Sequence, residues 1–374
     1  MNNVVALINL HGNANLGLLT KQRPIASTTF LGRYAFIDFA LSNLTNSGID
    51  EIGILIQDHS RSIIKHLGGK NTYLKNPKTG FQNLFLNERG LLNPQLNTDI
   101  HNIKENDWFL YDTNVKYVLI CPVNYLGYID YNEVIEEHIK SNRQMSCIVA
   151  NVNNADDQSL YRAIKCTVDP IGDVQKFETN DGRNKKATIC LETYIFNADY
   201  LKEMLRKADD ISELFTINEL VKYLSTYIEK VNAIEFKGVF RRIASLSDYF
   251  NISMACIDNQ DKIEDILFPK DWPVYTLTHD TRPVLYGEKC DVKESLIANG
   301  CTINGTVKHS VLSRDVVIEE GAIVENSVLF TNTVVKKGVH LKNCVVDKHC
   351  VFENKKEVSG TKDEPLYIPQ GARI

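Results

Sequence analysis

The 374-residue sequence contains no run of about 18 apolar residues, the length a membrane-crossing helix needs. Its nine cysteines include no CxxC pair. An odd count without that spacing, with Cys121, Cys147, Cys166, Cys190 and Cys344 inside apolar runs, reads as reduced core thiols. A disulfide framework and a zinc site are therefore not expected. Long runs of one charge are missing too. The net charge of −5 is spread along the chain, which gives neither nucleic acid nor an anionic membrane a handle. The opening residues read as a core strand rather than a signal peptide, and the cytoplasm is the expected compartment. What remains is a chain 43% hydrophobic, long enough for two domains with substantial cores.

Residues 4–57 organise the rest. Val4–Ile8 and Ile52–Ile56 are continuous aliphatic runs, the pattern of strands buried on both faces of a parallel sheet. Between them Phe36, Phe39, Leu41 and Leu44 recur at helical spacing, and Asn46-Ser47-Gly48 supplies a helix stop. This is a βαβ unit opening a doubly wound sheet. Further strands are expected at Val115–Cys121, Met145–Val152, Tyr161–Val168, Gly172–Phe177 and Ile189–Asn197. Helices are expected at Asp58–Leu67, with Ile63, Ile64 and Leu67 inward, and at Tyr131–Lys140, Tyr200–Lys207 and Ile217–Ile228. Residues 68–107, rich in Asn, Gly and Lys, read as a long surface excursion with a short hairpin at Gly80–Leu86. The composition turns Asp-, Lys- and Pro-rich from Asp258 to Pro283, which marks a linker.

A repeat follows. Val311, Val317, Ile323, Leu329, Val335 and Leu341 are spaced six apart, the signature of a left-handed parallel β-helix with coils of about eighteen residues. About four coils are expected, with a loop interrupting them near Gly305, where the earlier Ile297 and Ile303 fall out of phase. The division is then an α/β, mostly parallel, Rossmann-like domain over 1–257, a linker over 258–284 and a β-helix over 285–374.

The segments Leu16-Gly17-Leu18-Leu19-Thr20, Ile37-Asp38-Phe39-Ala40-Leu41-Ser42-Asn43 and Asn46-Ser47-Gly48-Ile49 carry a resemblance. Together with the terminal repeat they resemble the sugar-nucleotide pyrophosphorylases, above all the glucose-1-phosphate adenylyltransferases. The resemblance implies a nucleotidyltransferase (GT-A-like) domain, and it covers essentially the whole chain. It also exposes five departures. Asn15 stands where those enzymes carry the loop arginine, and Ile25 where they carry a lysine. Asn124 and Arg242 stand at the two aspartates that hold Mg²⁺. Glu192 replaces the glycine of a Ser-Met-Gly segment, here Cys190-Leu191-Glu192. An amide is a poor ligand for a hard cation, and a guanidinium repels one.

The resemblance is closest to the non-catalytic, GlgD-type regulatory subunit, which acts in glycogen biosynthesis. It implies no catalytic residue and no cofactor in this chain, with Mg²⁺ expected only in a catalytic partner subunit of a hetero-tetramer. Remaining ligand-binding candidates are Gly12 and Asn13 in the first loop, Arg33, Gln57, and Lys176, a displaced stand-in for a sugar-phosphate lysine. The loop at Gly12 and Asn13 reads also as a bare βα turn, Arg33 as an ordinary solvated arginine and Gln57 as a strand cap. A phosphorylated sugar effector and a homo-oligomer of this chain alone stay open. One alternative is an active sugar-phosphate nucleotidyltransferase with a rearranged site built from Asp130, Asp248, Lys176 and Arg242. Another is an acyltransferase using His309, His340 or His349 on the β-helix as a base.

Overall fold

The computed structural model describes residues 3–12, 14–68, 73, 81–111, 114–212, 216–259, 267–353 and 356–374. Two compact units interleave along the chain. One comprises Met1–Asn13, Phe39–Arg242 and Asp271–Tyr275; the other comprises Ala14–Asp38, Ile243–Lys270 and Thr276–Ile374.

The first unit is built on a nine-stranded sheet. Its strands are β1 (Val4–Asn9), β2 (Glu51–Ile56), β3 (Phe81–Leu86) and β4 (Tyr117–Cys121), followed by β5 (Met145–Val152), β6 (Ile164–Val168) and β7 (Asp173–Thr179). β8 (Ala187–Asn197) and β9 (Val231–Glu235) complete it. The order is β3-β2-β1-β4-β8-β5-β9-β7-β6. The first four strands are mutually parallel, and β8 turns the sheet antiparallel against both β4 and β5. All six residues of β1 are buried, as an interior parallel strand covered on both faces requires.

Three local expectations change. Phe81–Leu86 is no hairpin but one strand parallel to β2, because its six residues continue the ladder that Glu51–Ile56 leaves open; Gly80 lies outside the described residues. The region beyond it is not a mere surface excursion. Thr98 caps the helix Asp99–Glu105, whose Ile100 and Ile103 join the core. Ile64 is 53% exposed, and only Ile63 and Leu67 of its helix turn inward.

The second unit holds the left-handed β-helix that the repeat announces: three parallel sheets of five strands each, from Leu285–Tyr286 to Leu366–Ile368. Val317, Val334 and Val351 stack in register, so these coils are 17 residues rather than about eighteen, and the one before them, from Thr302 to Val317, is 15. One face of each 17-residue coil is a residue short, and this moves the register. Leu312, Ile318 and Val324 form the core where Val311, Val317 and Ile323 were expected, while Leu329, Val335 and Leu341 point inward as expected. The corner residues adopt positive φ, among them Asn326, Asn332, Asn343, Gly321 and Gly338, where glycine and asparagine meet the least strain. No loop interrupts the coils near Gly305. The corner there is tighter instead, and a Cβ on Gly305 would lie 2.5 Å from the Ala322 carbonyl oxygen.

A buried ion pair ties the segment 14–38 to the last coils. Arg23 and Asp347, 5% and 1% exposed, meet in a bidentate pair at 2.8 and 2.7 Å. The Tyr367 hydroxyl and the Lys348 amide also donate to this carboxylate, at 2.8 and 2.7 Å. Tyr249, from the helix Leu246–Asp258, packs against Phe30, Phe36 and Phe330 and donates to the Thr29 carbonyl at 2.8 Å. Removing one member of a buried pair strands the other charge. Asp347→Ala or Arg23→Ala is therefore expected to lower stability by about 3–5 kcal/mol, and the joint change Arg23→Met with Asp347→Leu by much less, as read by urea unfolding.

Candidate functional site

The positions singled out in the sequence fall into three places. The first is the loop after β1. Gly12 is exposed and takes φ +65, and a Cβ there would meet no other part of the chain, so the left-handed turn alone calls for glycine. Asn13 lies outside the described residues. His11 is buried, and its Nε2 faces the Asn102 amide at 3.1 Å. Burial lowers the His11 pKa to about 4, so the neutral ring accepts from that amide. Beside it, Asp99 accepts from Asn9 Nδ2 at 2.7 Å and from the Ile217 and Ile100 amides at 2.9 and 2.8 Å. One carboxylate thus joins β1 to the starts of two helices. Gln57 is exposed and offers only its backbone carbonyl, to Asn97 Nδ2 at 2.9 Å.

The second place is the rim around the strand Tyr125–Gly127, which pairs with the strand Phe240–Arg242 so that Arg242 lies opposite Tyr125. Asn124 is buried at the turn before it. Arg242 Nη1 donates to the carbonyls of Ser159 and Tyr161 at 2.8 and 3.1 Å, and its guanidinium lies 5.9 Å from the centre of the Tyr125 ring. Glu192 sits in a bulge of β8 between Cys190 and Tyr194, at φ +53. A glutamate held there bears strain a glycine would not. Its Oε2 accepts from Asn218 Nδ2 at 3.0 Å, its Oε1 lies 3.2 Å from the Tyr125 hydroxyl, and Tyr194 donates to Asn218 Oδ1 at 2.7 Å. Burial, above all, holds the Glu192 carboxyl above its ordinary value, against the opposing pull of the Asn218 hydrogen bond and the Arg242 charge.

Lys176 stands apart from this cluster, exposed and paired with Glu178 at 2.8 Å. Asp130 caps a helix, accepting from Asn132 N at 2.9 Å, and Asp248 accepts from Ala244 N at 3.0 Å. Both carboxylates proposed for a rearranged site thus have helix-end duties. Among the described residues none that fit a Mg²⁺ ion converge on this rim: an amide, a guanidinium and one carboxylate already hydrogen-bonded do not make an oxygen cage.

The third place lies within the second unit. Asn15 is exposed and accepts from Gly17 N at 2.8 Å, an Asx turn, and Ile25 is buried. Arg33 lines a cavity of about 270 Å³ with Thr278, His279, Ile297, Ala298, Asn299 and Arg314. Gly32, at φ +78, brings Arg33 there, since a Cβ on Gly32 would stand 2.9 Å from the Leu312 carbonyl oxygen. Burial, then the Arg33 charge, lowers the Arg314 pKa. Two guanidiniums facing one cavity are a seat for an anion. His309 Nε2 meets Asp258 at 2.8 Å, and His340 Nε2 meets Glu325 at 3.3 Å. His349 turns a coil corner at φ +61.

Sequence reasoning missed Tyr125, Asn218, His279 and Arg314. None carries a motif; their partners come from distant segments. All nine cysteines are free thiols, eight of them buried. Among the described residues no cluster of three metal-ligating side chains occurs and no helix is long and apolar enough to cross a membrane.

The family model described as nucleotidyl transferase matches residues 15–259, and that of the GlmU-like C-terminal hexapeptide matches residues 282–365. The chain is 30% identical, over 318 residues, to a glucose-1-phosphate adenylyltransferase of Clostridioides difficile (strain 630), covering 83% of this chain and 80% of that protein.

The Asp99 carboxyl is raised to about 6, first of all by burial. Its folded pKa lies above its unfolded one, so its stabilising share is complete below about pH 4 and is lost as pH rises through 6. The expected loss, about 3 kcal/mol, appears as the difference between wild-type and Asp99→Asn unfolding curves across that window.

Proposed function

This chain belongs to the nucleotidyl transferase family, on its sugar-phosphate branch, and from that premise we propose that it is a regulatory, non-catalytic subunit of glucose-1-phosphate adenylyltransferase. In this reading it joins a catalytic subunit in a cytoplasmic hetero-oligomer and supports its synthesis of ADP-glucose and diphosphate from ATP and glucose 1-phosphate for glycogen. The observation that carries the reading is Arg242. Where the relatives' second metal aspartate falls, a guanidinium is bound to the carbonyls of Ser159 and Tyr161, and Asn124 stands at the first. The reaction needs Mg²⁺ across the phosphates and cationic donors at the α-phosphate. Asn124 and Arg242 cannot supply the metal, and Asn15 and Ile25 cannot supply the donors. No catalytic step is assigned to this chain.

Such a subunit acts by favouring the active state of its partner, a coupling of about 1–3 kcal/mol. The Arg33–Arg314 cavity is the proposed seat of a phosphorylated sugar effector, its two guanidiniums taking the phosphate and Asn299 and Thr278 the hydroxyls.

Purified alone, the chain is expected to form no ADP-glucose above background. Mixed with a catalytic glucose-1-phosphate adenylyltransferase subunit, it should co-elute and raise turnover or effector sensitivity by about 5- to 150-fold. Arg33→Ala and Arg314→Ala should each blunt the effector response while leaving co-elution intact. Turnover by the lone chain at ordinary enzyme rates, abolished by Asp130→Ala or Asp248→Ala, would refute the proposal.

A further inference from the structure

We infer that Ser42, Asn43 and Asn46 form a clip for the linker, and that Asn43 couples the linker's seat to the rim around Tyr125 and Arg242. This goes beyond the subunit reading and does not depend on it.

Residues 271–275 lie within the stretch that its prolines mark as a linker, yet they belong to the first unit. Three side chains near the end of the helix Phe36–Asn46 hold them there. Ser42 Oγ accepts from the Tyr275 amide at 2.8 Å, and Asn43 Oδ1 accepts from the Trp272 indole N–H at 2.9 Å. Asn46 Nδ2 donates to the Pro273 carbonyl at 2.9 Å. Positions 42, 43 and 46 share one side of a helix, so a single short segment can meet all three. The Trp272 ring also meets the Tyr128 ring edge-on, with centroids 4.7 Å apart.

Asn43 is the junction. It is buried, and its Nδ2 donates to the Gly127 carbonyl at 2.9 Å. An indole nitrogen only donates and a carbonyl only accepts, so both ends of this amide are committed in one orientation. Losing either bond frees the amide to turn away from the other. Gly127 ends the strand Tyr125–Gly127, opposite Phe240, where a Cβ would lie 3.0 Å from the Val239 carbonyl oxygen. Two residues back, Tyr125 lies opposite Arg242 and its hydroxyl reaches Glu192. A shift of the strand at Gly127 is therefore a shift of that hydroxyl. The linker and the rim become one coupled element. A ligand or partner that draws residues 271–275 off the helix loosens the rim, and one that orders the rim tightens the linker.

Hydrogen exchange of the full chain, read by mass spectrometry, tests this without any measure of turnover. Trp272→Phe keeps an aromatic ring against Tyr128 but removes the indole N–H. Ser42→Ala removes the acceptor for the Tyr275 amide without touching Asn43. In either variant, exchange over 271–275 is expected to quicken about fivefold, the worth of one hydrogen bond. It should also quicken over 125–127 and 240–242, while β5 stays at the wild-type rate. A rise confined to 271–275, no rise at all, or an equal rise over β5, the mark of general destabilisation, would overturn the inference. Should Ser42→Ala not fold, Trp272→Phe decides alone, by the same three regions.

Discussion

Arg242 sets the terms for the rim of the first unit. A partly buried guanidinium needs acceptors or opposite charge around it. It finds them in the carbonyls of Ser159 and Tyr161, the face of the Tyr125 ring and the field of Glu192. Each of those groups is then committed in turn: Tyr125 to Glu192, Glu192 to Asn218, Asn218 to Tyr194. An open reaction site leaves its polar groups for substrate. Here they are largely spent on one another.

The loop after β1 follows the same logic with a different side chain. His11 is buried and neutral against Asn102, and Asp99 binds two helix starts to the first strand. In both places most interior polar atoms pair within the fold, with His11 Nδ1 and Arg242 Nε left over. Arg33 and Arg314 line a separate cavity in the second unit.

Much of the fold was legible because burial imposes patterns on sequence. Val4–Ile8 could only be an interior strand, and the six-residue spacing from Val311 announced a β-helix. The register was not legible over Val311–Ile323. The coils over this stretch are 17 residues, and a face shortened by one residue moves the inward position from Val317 to Ile318 and from Ile323 to Val324. A perfect hexad in the sequence concealed that slip. At the site, the resemblance singled out Asn124, Glu192 and Arg242 as positions. The network around them was not legible, because it joins residues 125, 159, 192, 218 and 242, which only strand pairing and the β8 bulge bring together.

The bulge at Glu192 also bears on how this chain can change over time. Every glutamate codon lies a single base from a glycine codon, whereas no arginine codon reaches aspartate so cheaply. Exchanging Glu192 for glycine is one point mutation away, and the backbone there already has the shape glycine prefers. Placing an aspartate at 242 is a longer path. The backbone strain at 192 can therefore be relieved far more readily than the charge at 242 can be reversed.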